Sequence, residues 1–83
     1  MDTNKLILKL SKMNIPYKIL DINGYNKDIE FKINGLIFKA GFNADSDKIT
    51  DFCREICYDN NEQETQRRFF DNFNKVLKYA NAK

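Results

Sequence analysis

Asp47, Asp51, Glu55 and Asp59 stand four residues apart, and they are the side chains of this chain whose type and spacing could do the most. A row of carboxylates can move protons, hold a cation or present a negative ribbon to a partner. The sequence favours the last of these. There is no histidine, so the usual general base near neutral pH is missing. No pair of acids sits in apolar surroundings that would drive their pKa values apart. Cys53 and Cys57 would be half of a metal site, but the chain has no third cysteine and no imidazole to complete it. Ser11 and Ser46 have no base beside them, and Gly24, Gly35 and Gly41 fall at turns and a strand end rather than in a phosphate loop. The residues therefore predict a non-catalytic protein without cofactor or metal, one that works by binding.

The elements that would position these acids follow from hydrophobic spacing. Leu6, Ile7, Leu10 and Met13 predict a helix over 3–13, which Thr3 or Asn4 could cap and which Pro16 ends. Residues 17–22 read as a strand and 23–27 as a turn. Ile29, Phe31 and Ile33 then alternate with Glu30 and Lys32, Asn34-Gly35 follows, and 36–42 returns. A two-residue loop sets Ile33 opposite Leu36, Phe31 opposite Phe38, Ile29 opposite Ala40 and Glu30 opposite Lys39. Further on, Ile49, Phe52, Cys53, Ile56 and Cys57 recur at helical spacing and predict a buried helical stripe. Asn61 with Glu64 resembles a capping box, opening a last helix with Phe69, Phe73, Val76, Leu77 and Ala80 inward. The expected fold is a single α+β domain over 1–83, of order α-β-β-β-α-α, with a three-stranded antiparallel sheet packed by helices on one face.

On that helix Asp47, Asp51, Glu55 and Asp59 would form a slanting ribbon, with successive acids about 6 Å apart along the axis. Between Asp45 and Glu64 seven acids face only Lys48 and Arg54, a local charge of −5 in a chain totalling +2, so the remainder carries +7. Such a ribbon could occupy a basic groove meant for nucleic acid. The competing surface is basic and aromatic. Lys18, Lys32 and Lys39 alternate away from the expected core, and Arg67, Arg68, Lys75 and Lys78, with Tyr79 among them, add charge along the last segment, a composition that could hold single strands. A third expectation is a homodimer burying Ile37, Phe70 or Tyr79. The total charge of +2 and pI near 8.5 are too mild to settle the matter.

Eleven lysines, eleven asparagines and nine isoleucines against three arginines are the usage of an AT-rich genome, such as a low-GC bacterium or its phage. The N-terminal residues lack the apolar stretch of a signal peptide, and two cysteines suit a reducing interior, so the expected setting is a bacterial host's cytoplasm, away from membranes. With its length, this composition, the expected order of elements and the acid-rich second helix, the chain resembles the small phage-encoded anti-CRISPR inhibitors of Cas9. That resemblance implies a protein partner, a Cas nuclease or its guide complex, met by Asp47, Asp51, Glu55 and Asp59.

Overall fold

Leu6 and Leu10, one helical turn apart, and Phe73, Val76 and Ala80 on a second helix all reach a single apolar cluster with Ile29, Phe31, Phe38, Ala40 and Phe52. That shared core defines the architecture: two helices on one face of a sheet. The computed structural model describes residues 1–58 and 64–82, with side chains for 1–54 and 67–82. Along the chain come α1 (Thr3–Lys12), β1 (Tyr17–Asp21), β2 (Asn26–Ile33), β3 (Leu36–Asn43), β4 (Ile49–Tyr58), β5 (Glu64–Phe70) and α2 (Phe73–Asn81). The strands form one antiparallel sheet in the order β1-β2-β3-β4-β5. The expected three-stranded sheet and its α-β-β-β-α-α order are thus overturned. The stretch expected as the second helix is β4, and the first part of the expected last helix is β5.

Local chemistry explains the ends of α1. Asp2, not Thr3 or Asn4, is the N-cap: its carboxylate accepts the Lys5 N–H at 2.7 Å. At the other end Asn14 adopts φ 56°, and the N–H groups of Asn14 and Ile15 return to the carbonyls of Ser11 and Leu10. This is a Schellman closure, with asparagine in the left-handed position usually taken by glycine. Pro16 then releases the chain into β1.

The β2–β3 hairpin matches expectation residue for residue. Ile33 pairs with Leu36, Phe31 with Phe38, Glu30 with Lys39 and Ile29 with Ala40. Asn34 and Gly35 hold φ 52° and 82°, the two left-handed residues that a tight two-residue turn requires. The Asn34 amide donates to the Ala80 carbonyl at 3.1 Å and to Asn81 Oδ1 at 2.9 Å, fastening the hairpin tip to the end of α2.

In the β1–β2 turn, Asp21 accepts the Gly24 N–H at 2.6 Å and lies 3.4 Å from Lys27. The Gly24 N–H above all, with Lys27, holds its carboxyl below the ordinary value of 3.8. A depressed carboxylate pKa stabilises the fold above that value, and the contribution fades as pH falls below it.

β4 enters the sheet through a bulge. Gly41 pairs with Asp51 but the next residue, Phe42, pairs with Ile49, so Thr50 is the extra residue. Its hydroxyl donates to the Gly41 carbonyl at 3.0 Å. The bulge changes the parity of the strand, so Ile49 and Phe52 both pack on the core although they are three residues apart. Cys53, opposite Lys39 and Phe69, is buried on the other face.

α2 is short, and its start depends on one side chain. Asn72 Oδ1 accepts the Lys75 N–H at 2.9 Å. Asn72→Ala should therefore lower the folding free energy by about 1 kcal/mol, read as a lower urea midpoint at unchanged slope.

Candidate nucleic-acid interface

β4 and β5 place Arg54 directly opposite Arg68. Like charges opposed across two strands are destabilising, and an unanswered pair needs a reason. Neither guanidinium makes an ion pair among the described side chains. What answers them is the ring of Tyr79, delivered by α2. The Arg68 guanidinium carbon lies 5.0 Å from the Tyr79 ring centroid and 5.5 Å from that of Phe70. Arg54 lies 5.9 Å from the same Tyr79 ring and donates from Nη1 to its hydroxyl at 3.2 Å. The ring faces attract both cations without neutralising either. The Phe70 and Tyr79 rings meet edge to face at 5.2 Å, and Phe38 closes on both from the core, so the platform is anchored.

Beside this platform is a cleft of about 430 Å³ lined by Arg68, Phe69, Asp71, Lys75, Lys78 and Tyr79, with Phe70 and Ala82. Lys75 is 3.4 Å from Asp71, leaving Arg68 and Lys78 as cations unpaired among the described residues. Phe69, at 59% exposure, carries its ring on the outer face of β5, the face of its partner Cys53, with Arg67 5.9 Å from its centroid. The charge of the whole molecule leans the same way. α1 and α2 together carry Lys5, Lys9, Lys12, Lys75 and Lys78 and no acid, +5 in a chain totalling +2, so the strands and connections hold −3.

The basic residues expected from sequence do not form one patch. Lys18, Lys32, Lys39 and Arg67 lie on the sheet face away from the helices, whereas Arg68 is on the opposite face, by Tyr79. The outer face is mixed: Lys18 is 3.2 Å from Glu30, and Asp28 and Asp51 join Lys39 and Arg67 around a cleft of about 420 Å³.

The acidic ribbon is not helical. Asp47 is exposed in the connection before β4, where its backbone carbonyl accepts the Thr3 N–H at 2.6 Å. Asp51 is exposed on β4, and Glu55 occupies the β4 position opposite Arg67. Asp59 lies outside the described residues, as does Asn61 of the expected capping box. On a strand, four residues span about 13 Å rather than the 6 Å of a helix, so the spacing argument for imitating a phosphate strand is lost.

Arg54 was the candidate-site residue hardest to see in the sequence, where it reads as a base softening the acids around it. Its role depends on the β4–β5 register. The platform defines the class of protein: a small α+β domain with an unneutralised arginine–tyrosine site on the helix-covered side of a five-stranded meander. Protein-family profiles, characterised proteins and solved structures give no match to the chain. Among the described residues no helix is long and apolar enough to cross a membrane.

Proposed function

We propose that this protein is a non-catalytic nucleic-acid-binding domain whose β5–α2 cleft takes the backbone of a single strand. The observation that carries the reading is the opposed pair Arg54 and Arg68, two cations held on one tyrosine ring without a carboxylate among the described residues. A phosphate seated at Arg68 relieves their repulsion and gains charge-assisted hydrogen bonds. Lys78 stands at the rim for a neighbouring phosphate. The basic helices extend the favourable field beyond the cleft.

The test is fluorescence anisotropy with labelled single-stranded DNA and RNA over a salt series. Binding should weaken as salt rises, by about 0.7 log units per tenfold increase in salt for each phosphate neutralised. Arg68→Ala should weaken it roughly tenfold or more, the value of a hydrogen bond to a charged group. Absence of binding to either polymer at low salt would sink the proposal.

A second reading rests on the outer sheet face, where charges of both signs surround the exposed side chains of Ile37 and Phe69. Interleaved charge suits one complementary protein surface better than a uniform polyanion. On this reading the chain is a phage or mobile-element inhibitor of a host nuclease such as a Cas enzyme. Asp51→Lys should then abolish inhibition with the fold intact, and an undiminished effect counts against the face.

A further inference from the structure

The two edges of the sheet differ. The register between β4 and β5 shifts twice, the kind of irregularity that discourages further strand pairing. β1, at the other edge, pairs with β2 without interruption from Tyr17 to Asp21. The Lys32 N–H donates to the Pro16 carbonyl and the Ile22 N–H to the Asn26 carbonyl, so the even-numbered residues of β1 face β2. By the alternation of antiparallel pairs, the N–H and C=O of Tyr17, Ile19 and Asp21 point outward along the edge. Pro16, which lacks an N–H, faces inward and leaves that edge intact.

The side chains agree with the backbone. Tyr17 and Ile19 share the face of their partners Phe31 and Ile29, which are fully covered, yet they remain 40% and 54% exposed because the helices stop short of this edge. Met13 is exposed just before the strand. The strand's two charges are answered within the protomer, Lys18 by Glu30 and Asp21 by Lys27 and the Gly24 N–H. A neighbouring strand would therefore meet no unbalanced charge here.

We infer that β1 docks against β1 of a second copy of this chain, antiparallel, with Ile19 on the two-fold axis. That register is set by the outward groups: Ile19 meets Ile19 of the second copy, Tyr17 meets Asp21 and Asp21 meets Tyr17, each pair exchanging both its hydrogen bonds. On the helix side Ile19 packs on its symmetry mate and the Tyr17 rings reach it diagonally. On the outer face Lys18 stands across from Leu20. The strand is its own complement, as an isologous interface demands. The product is a continuous ten-stranded sheet with the two β5–α2 clefts at its far ends, roughly 45 Å apart at ~4.8 Å per strand.

Sedimentation equilibrium over a concentration series tests this. Wild type should pass from monomer to dimer, and Ile19→Lys, an exposed substitution that leaves the core untouched, should stay monomeric with an unchanged circular dichroism spectrum. Ile19→Cys should form an intermolecular disulfide in mild oxidant, located by peptide mapping between the two substituted positions. Paired strands bring those Cα atoms to about 5.5 Å, within reach of a disulfide. Leu20→Cys should not crosslink to itself. A wild type that remains monomeric up to millimolar concentration overturns the inference. So does a dimer that survives Ile19→Lys and gives no crosslink at Ile19→Cys.

Discussion

Phe38→Ala should cost this protein a large share of its stability. Phe38 is fully buried in the central strand β3, stacked on Phe31 at 5.7 Å and met edge to face by Phe70 at 5.9 Å and Tyr79 at 6.3 Å. Removing a buried phenyl ring costs about 3–5 kcal/mol, part transfer and part cavity. A chain of this length has a total stability of roughly 4–12 kcal/mol at the usual yield per residue, so one side chain accounts for a large share. The melting midpoint should fall by roughly 12–40 °C, since a domain of this size loses about 4–8 °C per kcal/mol. Phe38→Leu keeps most of the volume and should cost about 1.5 kcal/mol or less. Similar midpoints for the two variants would show that the ring stack around Phe38 is not what holds the sheet to its helices.

The same region shows what the sequence makes legible. Between 29 and 42, period, turn and charge all agree, and no other arrangement satisfies Asn34-Gly35 together with three apolar cross-strand pairs. Between 49 and 58 they conflict. Ile49, Phe52 and Cys53 at i, i+3 and i+4 imitate a helical stripe, but the pattern comes from the bulge at Thr50 and from burial on both faces of a strand. Neither cause is visible in a hydrophobic period. The residue types carried a contrary signal, because Ile49, Thr50, Phe52, Ile56 and Tyr58 are β-branched or aromatic and favour strands.

The error propagates to function. Treating 47–59 as a helix aligns four acids; with 49–58 as β4, Asp51 and Glu55 are spread along a strand and Arg54 comes against Arg68. Of the seven basic residues expected on one surface, Arg68, Lys75 and Lys78 gather with Tyr79, while Lys18, Lys32, Lys39 and Arg67 lie on the other face of the sheet. Site residues that meet across a non-local register stay scattered in sequence until that register is known.

Tyr79 separates stability from binding at this platform. Its hydroxyl accepts a hydrogen bond from Arg54, whereas its ring carries contacts to Arg54, Arg68 and Phe70. Tyr79→Phe removes the hydroxyl, with its hydrogen bond to Arg54, and keeps the ring. It should lower stability by about 1 kcal/mol and leave oligonucleotide affinity within roughly threefold of wild type, because the aromatic face still holds Arg68 in place. Tyr79→Ala removes the surface between two opposed guanidinium groups. The partly buried ring should cost about 2–3 kcal/mol of stability, somewhat less than a fully buried one. Below the variant's melting transition, affinity should also drop at least tenfold, since two like charges without their platform splay apart and a phosphate must organise them first. The salt slope should stay near the wild-type value in Tyr79→Ala and fall by about 0.7 in Arg68→Ala, because only the second removes a charge that neutralises phosphate. On the proposed function Tyr79 acts by positioning Arg68, and the pair of slopes distinguishes that role from a direct contact. A folded Tyr79→Ala protein that binds as tightly as wild type would detach the platform from the function and leave the lysines of α1 and α2 as the candidate contacts.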